Sequence, residues 1–321
     1  MPEFDHAYAF DPTYGYDLAA LLAVAPPSEP DDFAAFWQAT YDEAATPDLQ
    51  ADFADVASPT PGFRVRLVHY DSWQGVRLGA WLVTPADADV RRFVVVGHGY
   101  YNRPIEDIGY TPGTAALFIA CRGLGLSRTA GISDQTALHV LNGIEDKSTY
   151  VHRGCVADTW AAAHLMSQTF PSAAGRLEYL GESFGGGIGA MALAWDRRFA
   201  FATLRVPSFG HHPLRLRHAC NGAGEAVRRK WERSPDIYER TLRYFDAAVH
   251  AQRLNLPTHF ACALFDPAVP PPGQFAVHNA APGAKKLTVW QAGHHNWAGT
   301  ATDVKRADAD AEALRARFSI S

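Results

Sequence analysis

The feature that most constrains the fold of this 321-residue chain is a series of short, nearly continuous apolar runs that begins near residue 93. Such runs are typical of strands buried on both faces of a parallel sheet. The segments between them have helical periodicity instead, so strands and helices alternate. This alternation predicts an α/β fold built on a mostly parallel, doubly wound sheet. The runs are FVVVGHG, AALFIACRG, LEYLGES, FATLRVP, THFACALFD and KLTVWQAG.

An antiparallel edge is predicted on the N-terminal side of this sheet. The run FRVRLVHYDS alternates apolar and polar residues, WQG turns the chain, and VRLGAWLVTP follows directly. Two alternating runs joined by a short turn predict a hairpin of antiparallel strands.

The sequence predicts a single domain that spans residues 1–321. Two segments outside the sheet are expected to be additions to this domain. Residues 1–60 are rich in Pro, Asp and Ala and predict a helical extension packed on the main body. The interval 207–256 is longer than one crossover helix requires, which predicts a lid insertion beside the carboxyl ends of the strands. The aromatic residues on one face of the predicted N-terminal helix are Phe33, Phe36 and Trp37.

The charge and hydropathy patterns exclude two classes of partner. The formal net charge is −5 and no basic stripe is present, which argues against nucleic acid. No stretch approaches the roughly 18 consecutive apolar residues that a membrane helix needs. The start MPEFDHAYAF is acidic, whereas a signal peptide is basic and then apolar. We therefore expect a cytoplasmic protein that does not bind membranes.

The four cysteines are scattered without CxxC spacing. This pattern predicts small buried side chains in a reducing compartment rather than a zinc site. Neither a metal nor a cofactor is expected. The cysteines are Cys121, Cys155, Cys220 and Cys262.

Residues that carry chemistry follow the predicted ends of three strands. Ser183 lies in GESFG, a G-x-S-x-G match between a predicted strand and a predicted helix. Asp266 ends the next-to-last strand, and His294 lies in the loop after the last. Catalytic groups of open α/β sheets lie at this edge, and the chain order Ser, Asp, His is that of α/β-hydrolases.

A serine hydroxyl at neutral pH needs an imidazole to accept its proton and a carboxylate to orient that imidazole. It also needs backbone N–H groups directed at the oxyanion that forms. We expect these oxyanion-hole donors to be the N–H groups of Phe184 and Tyr100. Tyr100 and Pro207, which follow strand ends, are the predicted substrate-binding residues.

Structural explanations compete with each of these assignments. A G-x-S-x-G string occurs in ordinary tight turns, an Asp at a strand end is often a helix cap, and a single His is usually structural. The joint order and context favour catalytic roles. Structural roles are favoured for three other histidines that could line the cleft, and a solvated helix face for the arginines of RLRHACNGAGEAVRRK. Those histidines are His98, His211 and His212.

Several motifs together resemble a known family. RGLGLS, GESFGGG, LFDPAVPPPGQFAVHNA and GHH are similar to the signature blocks of the acetyl xylan esterase and cephalosporin C deacetylase family, carbohydrate esterase family seven. Further similar blocks cover nearly the whole chain. They are PDDFAAFWQAT, HVLNGIEDKSTYVHRG and TLRYFDAAVHA.

The resemblance implies an esterase that removes acetyl groups from sugars and related small alcohols. It implies that Ser183 is the nucleophile, Asp266 the acid and His294 the base, and that the protein forms homo-oligomers, commonly ring-like hexamers. The residues that it implies as structural supports are Arg122, Gly123, Gly125 and Ser127.

Departures from the family pattern concern the neighbours of these residues. Phe184 replaces a Gln, His295 replaces a Glu, Ala120 replaces an Asp, and the middle block reads YVHR where the family has YYYR. These changes bear on acetyl specificity more than on hydrolysis. The alternatives are a carboxylesterase, thioesterase or peptidase of the same fold that acts on larger acyl groups, and a non-enzymatic hydrolase-like binding protein.

Overall fold

The structure is a computed structural model that describes residues 4–100, 105 and 108–318. Within these residues, nine strands form one mixed sheet. The strands are β1 (Asp52–Val56), β2 (Phe63–Ser72), β3 (Val76–Pro85), β4 (Arg92–Val96), β5 (Thr114–Ile119), β6 (Leu177–Glu182), β7 (Phe199–Arg205), β8 (Thr258–Phe265) and β9 (Lys285–Ala292).

Helices cover both faces of this sheet. No helix among the described residues is long and apolar enough to cross a membrane. The α-helices are α1 (Leu18–Leu22), α2 (Phe33–Ala44), α3 (Thr136–His139), α4 (Val151–Thr169), α5 (Phe184–Leu193), α6 (His212–Arg215), α7 (Ala223–Arg233), α8 (Asp236–Arg240), α9 (Ala247–Ala251), α10 (Pro271–Ala280) and α11 (Thr300–Arg317). Short 3-10 turns lie at Trp73–Gly75, Gly125–Ser127, Pro171–Ala173 and Leu242–Tyr244.

The sheet topology confirms the predicted α/β-hydrolase architecture. The spatial order is β1-β2-β3-β5-β4-β6-β7-β8-β9. Strands β4 to β9 are parallel to one another, whereas β1, β2 and β3 form the antiparallel edge. The strand order reverses around β4, whose neighbours are β5 and β6. This switch point is where open α/β sheets bind ligands.

The N-terminal extension differs in one respect from its prediction. Residues 1–60 contain strand β1, which pairs antiparallel with β2, as well as helices. Four of the five residues of β1 are exposed, so the strand carries no apolar run that sequence periodicity could detect. Helix α2 was predicted at the observed place, and its Phe33 and Trp37 are fully buried. The Trp37 indole N–H donates to the carbonyl of Tyr244 over 2.8 Å and joins the extension to segment 207–256.

Helix α5 approaches the sheet closely because four of its first six residues are glycines. All ten residues of the helix are buried. A Cβ at Gly189 would lie 2.2 Å from the ring of Tyr179, and one at Gly185 would lie 2.8 Å from the carbonyl oxygen of His98. The Tyr179 hydroxyl donates to the Gly185 carbonyl over 2.8 Å. These contacts fix the corner between β6 and α5, where Ser183 lies.

Segment 207–256 contains the short helices α6 to α9 between β7 and β8. The buried carboxylate of Asp246 ties its two ends together, since it accepts hydrogen bonds from the backbone N–H groups of His211, His212 and Ala248. Several residues of the segment line the cavity described below. Its role as a lid stays a prediction.

Candidate active site

Ser183 occupies a strained corner between β6 and α5. Its backbone has φ 56° and ψ −116°, a region that residues other than glycine rarely adopt and that costs about 1–3 kcal/mol. The corner is held by hydrogen bonds from Ser183 N–H to the Arg205 carbonyl (2.9 Å) and from Ser208 N–H to the Ser183 carbonyl (3.1 Å). The strained turn projects the Ser183 hydroxyl away from the helix, as the G-x-S-x-G motif requires.

Three side chains from three loops form one hydrogen-bonded line. The His294 Nε2 atom lies 3.0 Å from the Ser183 Oγ atom. On the other side of the ring, His294 Nδ1 lies 2.8 Å from Asp266 Oδ2 and 3.0 Å from Asp266 Oδ1. With the Nδ1–H donating to the carboxylate, the lone pair of Nε2 faces the serine hydroxyl and can accept its proton.

The carboxylate of Asp266 is fully buried yet amply hydrogen-bonded. Its Oδ1 accepts from the backbone N–H groups of Ala268 and Val269, each over 2.9 Å. Its Oδ2 accepts from the Gln274 amide over 2.9 Å. A Cβ on Gly293 would lie 2.4 Å from Asp266 Oδ2, so only glycine fits before His294. These donors hold the carboxylate in a fixed position beside the imidazole.

The environment of His294 favours its protonated form. Burial by itself lowers the pKa of the imidazole, but the negative charge of Asp266, its hydrogen bond and the more distant charge of Glu182 outweigh this effect. The net result is a pKa above the ordinary value. The site can therefore stabilise the imidazolium that forms when His294 takes a proton from serine.

Backbone donors for an oxyanion are available beside Ser183. The N–H of Phe184 opens helix α5, and the N–H of Tyr100 follows strand β4. No acceptor within the described part of the chain bonds to either group. The Phe184 side chain is fully buried and packs on the Tyr100 ring, with ring centroids 4.3 Å apart. Phe184 therefore faces the site through its backbone alone.

Ser183 and His294 line a cavity of about 290 Å³. Pro207 does not line it: this residue is buried, and its neighbours Ser208 and Phe209 face the cavity instead. A Cβ on Gly186 would lie 3.0 Å from the Pro207 Cα atom, so Pro207 packs directly against helix α5. The lining residues include Gly99, Tyr100, Thr136, Glu182, Ser183, Arg215, Ala268, Val269 and His294.

The histidines for which structural roles were predicted do not line this cavity. His98 Nε2 accepts from the Cys121 backbone N–H over 3.0 Å. His212 Nε2 bonds to the Phe245 carbonyl over 3.1 Å, and His211 caps helix α6. Their contacts agree with the structural roles predicted for them.

Comparison with known proteins identifies the family. A sequence profile of the acetyl xylan esterase family (AXE1) matches residues 24–308. The chain belongs to this family. Membership makes this acetyl xylan esterase family protein a carboxylic ester hydrolase, and it sets aside the alternative of a non-enzymatic binding protein.

Solved structures of acetyl xylan esterases are similar over almost the whole chain. The enzyme from Paenibacillus sp. R4 superimposes with a TM-score of 0.77 at 25% identity, covering 92% of this chain and 100% of that one. Acetyl xylan esterase 1 from Thermoanaerobacterium sp. JW/SL YS485 gives 0.78 at 19% identity and covers 95% and 99%. The acylaminoacyl peptidase of Pyrococcus horikoshii shares the fold, with a TM-score of 0.59 at 14% identity, covering 80% of this chain and 42% of that one.

In this member of the acetyl xylan esterase family, Arg122 forms a buried ion pair with Asp158. Its guanidinium Nη2 and Nε atoms lie 2.8 Å and 3.2 Å from Asp158 Oδ1. The Arg122 backbone N–H donates to Asp158 Oδ2 over 2.8 Å, and Nη2 also donates to the Trp73 carbonyl. The contacts of Arg122 are those of a support rather than of a substrate-binding group.

The turn after Arg122 is held by the other residues named as supports. Gly123 and Gly125 have φ values of 82° and 53°, in the left-handed region that favours glycine. The Gly123 N–H donates to the Ser127 carbonyl over 2.7 Å. The Ser127 hydroxyl donates to the Ala120 carbonyl over 2.7 Å and accepts from Gly79 N–H over 2.9 Å. The hydroxyl thus ties the turn to strand β3.

All four cysteines are buried free thiols, as predicted. Two of them lie close enough to Asp158 to resemble a metal site, since possible ligand atoms of Cys121, Cys155 and Asp158 lie within 4.8 Å of one another. Both Asp158 oxygens already bond to Arg122. The guanidinium charge disfavours a cation beside it.

Arg215 lines the cavity although the sequence pattern does not predict it. Arg215 belongs to the arginine cluster predicted to form a solvated helix face, yet it is 6% exposed and lines the cavity. Arg217 is exposed as predicted. Arg215 is the last residue of the four-residue helix α6, and Arg217 lies in the turn that follows. So short a helix has no periodicity from which the burial of Arg215 could be predicted.

Proposed function

We propose that the protein hydrolyses short-chain acyl esters, in the first place acetyl esters of sugars or related small alcohols. Ser183 acts as nucleophile, His294 as base and Asp266 as the acid that orients it. The observation that carries the proposal is the 3.0 Å approach of Ser183 Oγ to His294 Nε2, in a chain of the acetyl xylan esterase family.

Acylation begins when Ser183 Oγ attacks the carbonyl carbon of the ester and its proton passes to His294 Nε2. The carbonyl π electrons move to oxygen, and the resulting oxyanion accepts hydrogen bonds from the N–H groups of Phe184 and Tyr100. Collapse of this intermediate breaks the ester C–O bond. The departing alcohol oxygen takes the proton from His294, and an acyl-serine remains.

Deacylation repeats these steps with water. His294 takes a proton from the water as its oxygen attacks the acyl carbon, and the same backbone donors hold the oxyanion. The bond to Ser183 Oγ then breaks, the serine recovers its proton from His294, and the carboxylic acid leaves. Throughout, the Asp266 carboxylate holds the imidazole in one tautomer and stabilises its charged form.

The acyl-enzyme step predicts covalent labelling at Ser183. A fluorophosphonate should add one adduct mass per chain, and peptide mapping by mass spectrometry should locate it on Ser183, because its hydroxyl contacts an imidazole that a carboxylate orients and lines the cavity. The Ser183→Ala variant is the matched control and should take up no label. Labelling at a different residue, or none in protein with a native circular dichroism spectrum, contradicts the proposed mechanism.

Acyl length separates the acetylesterase from the main alternative. Against 4-nitrophenyl esters from C2 to C8, we expect kcat/KM to be highest for acetate and to fall about 10-fold or more by C6, since methylenes that do not fit a cavity must be packed with strain. The buried Phe184 side chain offers no apolar channel for longer chains. A maximum at C8 would instead identify a carboxylesterase, thioesterase or peptidase that acts on larger acyl groups.

The proposal includes three statements about the whole protein. Its partner is a small-molecule ester rather than nucleic acid, in keeping with the net charge of −5. It functions in the cytoplasm, which suits four free thiols. It forms a homo-oligomer, for which the family resemblance implies a hexamer. Exposed apolar side chains that could lie in such an interface include Leu18, Leu22 and Phe53.

A further inference from the structure

Arg215 is a buried cation inside the catalytic cavity. It is 6% exposed and lines the same cavity as Ser183 and His294. Its Nη1 atom is buried and has no hydrogen-bond acceptor. Among the described residues, no carboxylate forms an ion pair with its guanidinium. A buried charge without a partner is costly, so its presence at a catalytic cavity calls for a ligand.

The titratable groups around Arg215 provide no compensating charge. Burial raises the pKa of the Tyr100 and Tyr150 phenols well above the ordinary value. Burial, together with the positive charge of Arg215, lowers the pKa of His212 to about 3 and that of His152 well below the ordinary value. These four side chains are therefore neutral near pH 7 and provide no negative charge that could pair with the Arg215 guanidinium.

The carboxylates nearest to this region are engaged elsewhere. Glu225 bonds to Arg228 and to a second arginine of helix α7. Asp266 bonds to His294. Glu182 also lines the cavity, but it is exposed and forms no ion pair with Arg215. Within the described residues, the guanidinium of Arg215 therefore has no carboxylate partner.

The chain leaves room for the guanidinium at this place. A Cβ on Gly224 would lie 2.6 Å from Arg215 Nη2, so any larger residue there would displace it. Gly222 and Ala223 line the same wall of the cavity and are also small. On the other side, the Arg215 Cζ atom lies 5.8 Å from the centre of the Phe209 ring. The wall of the cavity is thus built around the Arg215 side chain.

We propose that Arg215 binds a carboxylate of the substrate, so that the preferred esters are anionic rather than neutral. The guanidinium matches two carboxylate oxygens with two parallel N–H donors. The carboxylate can belong to the alcohol part of the ester or to a dicarboxylic acyl part. Turnover of such esters rests on the proposed hydrolase function, whereas binding of the anion does not.

Binding is tested first, without catalysis. In the Ser183→Ala variant, titration calorimetry compares 4-acetoxybenzoate with the isosteric neutral 4-acetoxybenzamide. We expect the carboxylate to bind about 10-fold or more tightly, since a hydrogen bond to a charged group contributes enough for that ratio. Adding Arg215→Met should abolish the preference. Arg217→Met, an exposed arginine of the same segment, is the matched control and should retain it.

Kinetics then identify which part of the ester carries the anion. One arm compares 4-acetoxybenzoate with 4-acetoxybenzamide, and the other compares the 4-nitrophenyl half-ester of glutarate with 4-nitrophenyl glutaramate. In one arm we expect a charged-to-neutral ratio of kcat/KM of about 10 to 100, reduced to near unity in Arg215→Met. Equal ratios in wild type and Arg215→Met in both arms overturn the proposal. Loss of all ester turnover with the binding preference intact would count against the hydrolase function alone.

Stability separates a ligand-binding arginine from a structural one. Without ligand, Arg215→Met should raise the thermal midpoint by about 1 to 4 °C, because it removes an unpaired buried charge. Arg215→Gln, which keeps donors but no charge, should also fold and lack the anion preference. A fall of the midpoint in both variants would show that the arginine supports the fold, and would overturn the proposal.

Discussion

Replacing His294 by Ala is expected to lower kcat by about 10⁴-fold, the scale of losing one triad member, whereas His295→Ala should lower it by about 10-fold. The two histidines are adjacent but point to opposite sides of the chain. His294 reaches Ser183 and Asp266. The ring of His295 instead packs on Phe265, with ring centroids 5.1 Å apart, and its Nδ1 lies 3.2 Å from the Tyr8 hydroxyl.

Steady-state kinetics with 4-nitrophenyl acetate would measure both variants, with circular dichroism and thermal midpoints as the check on folding. Tyr8→Phe gives a matched control for the contacts of His295, because it removes the hydroxyl beside His295 Nδ1, and that hydroxyl forms no hydrogen bond with Ser183, Asp266 or His294. If His295→Ala abolished turnover while His294→Ala retained it, the base would be assigned one residue too early. If neither change mattered, the loop would have no part in catalysis.

The triad geometry could be predicted because each member lies at the end of a buried strand. Strands buried on both faces have recognisable apolar runs, and the ends of parallel strands meet at one edge of the sheet. The sequence therefore predicts that Ser183, Asp266 and His294 lie near one another, but it gives no interatomic distances. The choice of His294 over His295 followed from its place directly after Gly293, which follows the last strand, and from the family resemblance. The structure adds that a side chain at Gly293 would collide with Asp266.

Other features depend on packing that local sequence does not encode. Strand β1 is an exposed edge strand whose register comes from pairing with β2 rather than from its own residues. Pro207 follows a strand end as a substrate-binding residue would, yet it packs against helix α5 and does not line the cavity. Arg215 looks like any arginine of a polar helix, and its burial arises only when segment 207–256 folds over the strand ends. Local sequence predicts that a charged side chain is exposed, and exceptions to such local rules are common at functional sites.

Replacing Arg122 by Met is expected to lower the free energy of unfolding by about 3–5 kcal/mol, because it leaves a buried carboxylate without its cation. The side chain of Asp158 is 1% exposed and that of Arg122 is 5% exposed. In the variant, Asp158 would keep only the donors from Ser72 Oγ (2.7 Å) and the backbone N–H of residue 122. Those two hydrogen bonds do not replace a guanidinium in a low-dielectric core.

Chemical denaturation would measure this loss, and two controls separate its cause. Arg128→Met breaks the nearby exposed pair with Asp134, whose side chains are 73% and 45% exposed, and should change stability by less than about 1 kcal/mol. Asp158→Asn combined with Arg122→Met should recover at least half of the loss, since it removes the unpaired charge. A loss below about 1 kcal/mol in Arg122→Met would contradict the argument.

The Arg122→Met variant should also change the geometry of the active site, because His139 connects Arg122 to Tyr100. The Nε2–H of His139 donates to the Arg122 carbonyl over 3.0 Å, and His139 Nδ1 bonds to the Tyr100 hydroxyl over 3.2 Å. Tyr100 supplies the proposed oxyanion donor, so a shift of the Arg122 backbone is expected to move that donor. We expect kcat to fall about 10-fold in Arg122→Met. It should stay reduced when Asp158→Asn is added, because the second change does not restore the contacts of the Arg122 side chain. Full recovery of kcat together with stability would instead assign the whole effect to the unpaired charge of Asp158.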